Sequence, residues 1–305
     1  MNRSLQTSQS HGLDQTHHSE YLPLRSVRVK SVENAFLSQD KIDLEWQKLN
    51  YLEAPDLELA HQEYLEFLKI LTEHAEQVES FPANPELSID SIYCRDASIV
   101  TDFGVILCRM GKEGRAKEPQ AQRDHYRESG IDILGAIEFP GTLEGGDVAW
   151  LDEKTLAVGR SYRTNSEGIN QLKSILEPRG VSVVVADLPH YKGKDDVFHL
   201  MSILSPVDKD LAVVYSPLMP ISFREVLLSK GFELIEVPDE EFESMGCNVL
   251  ALGPRTCLMV EGNPVVERRL IEAGCKVHVY KGRNISLYGG GGPTCLTRPM
   301  QRRRA

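Results

Sequence analysis

The chain contains no Cys-x-x-Cys pair. Its six cysteines, Cys94, Cys108, Cys247, Cys257, Cys275 and Cys295, stand singly, which suggests neither a cysteine zinc site nor a disulfide framework and fits a reducing compartment. It also lacks any uninterrupted apolar run of membrane length, and its first twenty residues, rich in Ser, Gln and His, hold no apolar signal-peptide core. The expectation is therefore a cytoplasmic protein without a membrane partner. Positive charge is scarce as well. A net charge of −11 denies the chain the basic face that phosphate neutralisation needs, so no nucleic acid is expected, and Arg302-Arg303-Arg304 reads as a solvated end. His17, His18, His61, His74, His125, His190 and His278 show no paired metal-ligand spacing, and neither metal nor cofactor is expected.

What remains is an ordinary globular composition: 305 residues, 41% hydrophobic and 26% charged. Residues 1–20 read as a disordered tail and residues 21–305 as a single folded domain. Leu22 to Val29 alternates like a half-buried strand, and Leu57, Ala60, Tyr64, Phe67, Leu71, Ala75 and Val78 mark an amphipathic helix capped by Asp56. Paired apolar runs then recur: Ala97–Thr101 with Val105–Cys108, Val148–Leu151 with Leu156–Val158, Met201–Leu204 with Leu211–Tyr215, and Val249–Leu252 with Cys257–Val260. Helical stretches lie between them over Asn165–Leu176, Phe223–Lys230 and Val265–Ala273, each closed by a glycine. At the mouths of these units stand Asp96, Asp147, His199, Asn248 and Cys295, spaced by roughly fifty residues, a repeat-like period. Five such units would close a ring and gather the five polar residues on its axis, whereas an ordinary α/β sheet with similar spacings is the plainer alternative.

Cys295 stands in Gly289-Gly290-Gly291-Gly292-Pro293-Thr294-Cys295, a backbone that a substrate could approach closely. A free thiol, with a pKa of about 8.5, needs help to ionise at neutrality. The glycine loop could supply N–H groups, His199 a proton acceptor and donor, and Glu144 an anchor for the imidazole. Taken singly, each has a bland reading: a buried small hydrophobe, a satisfied core histidine, a strand-end carboxylate.

The ordered set Asp90-Ser91-Ile92-Tyr93-Cys94-Arg95-Asp96, Leu143-Glu144-Gly145-Gly146-Asp147, Ser161-Tyr162-Arg163-Thr164-Asn165, His199-Leu200 and Thr294-Cys295 resembles the guanidino-group-modifying enzymes (the amidinotransferase and arginine deiminase superfamily), and within them the dimethylarginine dimethylaminohydrolases. The resemblance implies an α/β fold, a pseudo-symmetric five-module α/β-propeller with an axial active site. It implies a catalytic triad of Cys295, His199 and Glu144, with Asp96 and Asp90 about the substrate guanidinium and Arg115 and Arg163 on its α-carboxylate. The implied partner is a small guanidino compound, the implied reaction hydrolysis of a methylated arginine to citrulline through a thiouronium adduct; a homodimer is compatible. Arginine deiminase or dihydrolase, amidinotransferase, and a non-catalytic arginine-like ligand-binding protein are the alternatives. Two residues depart from the family's patterns. Arg95 precedes Asp96 where dimethylargininases usually carry an acid, and Met201 stands where deiminases carry Asp, so a substrate cation meets fewer carboxylates; Arg95 is expected to turn away and pair with Glu144 or another core acid. The resemblance implies a lid over the pocket at Ser31 to Lys41, whose polar composition alone would equally suit an inert surface loop.

Overall fold

A hairpin of two short strands buries too little apolar surface to persist alone, so each must recruit a further strand and a helix. The protein, seen as a computed structural model that describes residues 14–194 and 196–304, solves this the same way five times. Along the chain run β1 (Gln15–Thr16), β2 (Leu24–Val29), α1 (Val32–Ala35), α2 (Gln39–Glu45), α3 (Leu57–His74) and β3 (Gln77–Ser80). Two units follow: β4 (Ser98–Thr101), β5 (Gly104–Leu107), α4 (Glu118–Glu128) and β6 (Ile133–Ala136), then β7 (Val148–Asp152), β8 (Thr155–Arg160), α5 (Ser166–Leu176) and β9 (Ser182–Asp187). Two more comprise β10 (Leu204–Asp208), β11 (Leu211–Val214), α6 (Ile221–Ser229) and β12 (Glu233–Glu236), and, after α7 (Asp239–Phe242), β13 (Leu250–Gly253), β14 (Thr256–Val260), α8 (Pro264–Glu272) and β15 (Lys276–Tyr280).

In every unit the first two strands pair antiparallel, and the crossover helix returns the chain so that the third lies parallel to the second. The fifth unit joins the ends of the described chain. Strand β16 (Thr297–Arg303) pairs antiparallel with β2, and β2 pairs parallel with β3 across α1 to α3. The result is the expected five-module α/β propeller. Helix α3 begins where Asp56 accepts the Leu59 N–H at 2.9 Å, and it buries Ala60, Tyr64, Phe67 and Leu71. Fully burying a side chain such as Phe67 contributes about 1.5–3 kcal/mol. Among the described residues no helix is long and apolar enough to cross a membrane.

Several expectations change in detail. The helix stops at His74, and Val78 belongs to β3. Leu200 to Ser202 form a 3-10 turn, with β10 starting only at Leu204. The expected tail falls outside the described residues up to residue 13, but Gln15–Thr16 pair with Arg302–Arg303, and His18, Ser19 and Glu20 are buried, so the folded chain begins before residue 21. Arg302, expected in a solvated end, is 1% exposed. Within Ser31 to Lys41, Ser31 and Ser38 cap α1 and α2, while Val32, Ala35 and Phe36 are buried.

Candidate active site

Because the five units share one build, a polar residue on the segment leading into each first strand occupies a corresponding place, one or two residues ahead in four units and five ahead at His199, where a 3-10 turn intervenes. Asp96 precedes β4, Asp147 β7, His199 β10, Asn248 β13 and Cys295 β16. His199, Asn248 and Cys295 line one pocket, and its narrower extension is lined by Asp90, Asp96, Arg115, Arg163, His199 and Cys295. The glycines permit the crowding. A Cβ on Gly146 would stand 2.4 Å from His199 Nδ1 and 2.7 Å from Asp96 Oδ1, which also shows how closely those two atoms flank one backbone point. A Cβ on Gly291 would stand 2.4 Å from the Tyr93 ring and 3.1 Å from Cys295 Cβ.

Cys295 is the one half-buried cysteine; the other five are buried. Its sulfur accepts from Asn248 Nδ2 at 3.3 Å and lies 3.8 Å from the Thr294 hydroxyl. Asn248 Oδ1 in turn accepts from the Thr294 N–H and hydroxyl, at 3.1 and 2.8 Å, which fixes the turn that carries the thiol. The sulfur therefore has a side-chain amide at hand, while the N–H of Gly291 donates to Ser286 O. Burial and the charge of Asp96 push the thiol pKa up, against the Asn248 and Thr294 hydrogen bonds and the charge of Arg95.

His199 is fixed by carboxylates. Its Nε2 lies 2.8 Å from Glu144 Oε2, and Glu144 Oε1 accepts the N–H groups of Gly111 and Lys112 at 2.9 and 3.0 Å. Asp147 holds the loop, accepting the Leu200 N–H at 3.0 Å and the Ser161 hydroxyl at 2.6 Å. Burial alone would lower the imidazole pKa, but Asp147, the Glu144 hydrogen bond and Asp96 outweigh it and raise His199 to about 9. Burial acts upward on Glu144, yet the bond and charge of His199, with Arg163, hold it low. Asp147 is pushed up to about 6 by burial, against the charge of His199 and its hydrogen bonds. At neutral pH the site thus carries an imidazolium braced by a carboxylate. Asp96, Glu144 and His199 could each turn one ligand atom towards a cation, these atoms lying within 4.8 Å of one another. The hydrogen-bonded Glu144–His199 pair gives the group an acid–base use without one.

The remaining site residues differ in availability. Asp96 Oδ2 takes Arg115 Nη1 at 2.5 Å, whereas its buried Oδ1 has no partner among the described residues. Arg115 is clamped: Nε and Nη2 donate to Glu118 at 2.8 Å and Nη2 also to Tyr93 O, leaving one Nη1 hydrogen uncommitted. Arg163 is held more loosely, with Nη1 3.6 Å from Glu144 and Nη2 3.5 Å from Asp196 O. Asp90 is neutralised by Lys112 at 2.6 Å. Sequence reading passed over Lys112, which stands in a polar loop with no local signal of its partner. Arg95 touches the wider pocket but not the smaller one around Asp96, and its guanidinium pairs with Glu20 at 2.8 and 2.9 Å, not with Glu144.

The sequence model of the family described as N,N dimethylarginine dimethylhydrolase, eukaryotic, matches residues 33–302. An N(G),N(G)-dimethylarginine dimethylaminohydrolase of Streptomyces coelicolor is 29% identical over 223 residues, covering 73% of this chain and 79% of that protein. The fold matches a dimethylarginine dimethylaminohydrolase from Pseudomonas aeruginosa complexed with citrulline, with a TM-score of 0.71 and 22% identity over 92% of this chain and all of that one. It also matches the substrate-bound N-terminal domain of an arginine dihydrolase from the cyanobacterial ornithine-ammonia cycle, with a TM-score of 0.76 and 19% identity over 90% of this chain and 97% of that one.

Proposed function

From the premise that the chain belongs to the N,N dimethylarginine dimethylhydrolase family, a family of hydrolases acting on guanidino C–N bonds, we propose that it converts an Nω-methylated arginine to citrulline and a methylamine. The observation that carries this is one pocket in which the Cys295 sulfur, the His199 imidazole braced by Glu144, and the Asp96 Oδ1 without a partner among the described residues meet. Substrate guanidinium lies against Asp96 Oδ1, and its positive charge offsets the burial that holds the thiol protonated. As the cation docks, the Cys295 thiol loses its proton to solvent, and the thiolate attacks the guanidinium carbon. As the C–N bond to the methylated nitrogen breaks, His199 gives that nitrogen its proton, and the amine leaves behind an S-alkylthiouronium. Water then adds to the same carbon, the now neutral His199 takes one of its protons, and the C–S bond breaks to return the thiolate and release citrulline as the remaining hydroxyl proton passes to solvent.

The carboxylate count supports a methylated substrate. A dimethylated nitrogen brings no N–H and needs no acceptor, whereas both terminal nitrogens of free arginine need one. Here Asp90 is already bonded to Lys112, while Asp96 Oδ1 has no partner among the described residues. Arg163 is the better placed of the two arginines to take the α-carboxylate, and Arg115 acts by holding Asp96. The test is citrulline formation from asymmetric dimethylarginine, monomethylarginine and arginine side by side, with the released amine identified and Cys295→Ser as control. Citrulline with a methylamine from the wild type, and none from a folded Cys295→Ser, is expected. Citrulline with ammonia from arginine alone would replace the reading with a deiminase, and product from Cys295→Ser would remove the covalent mechanism.

A further inference from the structure

Beneath the active site lies a second group of buried charges that catalysis does not use. Arg95 is 1% exposed, Arg302 1% and Arg298 7%, and the carboxylate that faces all three is Glu20, 7% exposed. The four converge from different parts of the ring. Arg95 Nη2 donates to both oxygens of Glu20, and Trp150 N–H on β7 donates to Oε1 at 3.3 Å. Arg298 Nη1 donates to Ser98 O at 2.7 Å and to Arg95 O at 3.3 Å, while Arg302 Nη1 donates to Ala251 O at 3.0 Å and to Leu22 O.

These bonds leave donors over. Arg95 Nε and Nη1, Arg298 Nε, and Arg302 Nε and Nη2 are all buried and without a partner among the described residues. Burial lowers the guanidinium pKa of Arg298 to about 10 and of Arg302 to about 9, the other arginines pressing the same way against Glu20, so both stay charged at neutral pH. Three cations against one carboxylate leave two positive charges in the interior, where an unpaired charge is costly. Buried donors in such numbers call for an acceptor.

We propose that the Arg95–Arg298–Arg302 cluster is a binding site for a small inorganic anion of the halide class, seated on the propeller axis behind Cys295. The burial of all three arginines favours a compact monovalent anion, which supplies acceptor capacity to several N–H groups at once and halves the charge excess. The active-site pocket reaches Arg95, giving an entry route, and the Arg95 N–H donates to Cys295 O at 3.3 Å, so the site adjoins the nucleophile's backbone.

The test uses bromide, whose anomalous scattering distinguishes it from water. Crystals of the full chain grown in sodium bromide are expected to show an anomalous peak within hydrogen-bond reach of Arg95 Nη1 and Arg302 Nη2. In parallel, the wild-type melting temperature should rise saturably with bromide or chloride over gluconate at equal ionic strength, and Arg302→Met should lose that rise. An axis carrying no bromide peak, or a melting temperature that follows ionic strength irrespective of the anion, would overturn the proposal. Should Arg302→Met fail to fold, the wild-type bromide map still decides.

Discussion

The two ends of the propeller axis bury charge in opposite ways. At the Cys295 end carboxylates dominate: Glu144 and Asp147 enclose one imidazolium, and their oxygens are occupied by Gly111, Lys112, Leu200 and Ser161. At the other end arginines dominate, three about Glu20, with several donors unpaired. A chemical site needs atoms held in one geometry and protonation states fixed in advance, which the full hydrogen bonding about Glu144 provides. The arginine end has no such completeness. The comparison teaches that buried charge takes two forms in this fold: at one end the carboxylates about His199 are fully hydrogen-bonded and Asp96 Oδ1 is left open, at the other it is arginine donors that are left over.

Breaking the complete end should cost most. Glu144→Gln leaves the Gly111 and Lys112 N–H groups an acceptor but removes the negative charge opposite His199, so kcat should fall by about 10²–10⁴. The same change lowers the His199 pKa and moves the alkaline limb of the kcat profile to lower pH. An unmoved limb would show that Glu144 does not set the charge on His199. In the wild type, His199 is raised to about 9 from an ordinary 6.5, so its stabilising contribution is complete below about pH 6.5 and is lost as pH rises through about 9. Denaturant titrations should show stability declining across that window, and less so in Glu144→Gln.

The arginine end should respond asymmetrically. Glu20→Gln removes the one carboxylate shared by Arg95, Arg298 and Arg302 and should cost about 3–5 kcal/mol, read from urea unfolding at low salt. A loss below about 1 kcal/mol, the ordinary worth of an exposed pair, would mean that the cluster is solvated. The smallest effect belongs to Asn248→Ala, which deletes the donor to Cys295 Sγ and two acceptor bonds to Thr294. It should cost about 1–3 kcal/mol and raise the thiol pKa, slowing alkylation of Cys295 by iodoacetamide at neutral pH. Unchanged alkylation would show that Asn248 holds only the turn.

Much of this was readable in the chain, and the exceptions have common causes. Asp96, Asp147, His199, Asn248 and Cys295 were legible because they recur at roughly fifty-residue spacing at the mouths of paired apolar runs. The third strand of each unit was not: β12, Glu233–Glu236, and β6, Ile133–Ala136, are four residues long, lack fully buried alternation and lie parallel to partners far along the chain. Glu20 was hidden for another reason. The residues before it are polar, so local composition reads as a tail, and its partners, Arg95 and the Trp150 N–H, lie 75 and 130 residues away. The Lys112–Asp90 pair, 22 residues apart, likewise depends on tertiary approach. Asn248 was placed on the axis by spacing alone; its task became visible only with its amide against the sulfur.

The central claim is that Cys295 carries the substrate carbon covalently. Turnover of asymmetric dimethylarginine quenched in acid, followed by mass spectrometry of the intact chain and its peptides, tests it most directly. The account predicts a transient mass increase equal to the substrate less dimethylamine, localised to the Cys295 peptide and absent from Cys295→Ser. Citrulline production in rapid-quench samples with no adduct at any time, or an adduct on another residue, would contradict it.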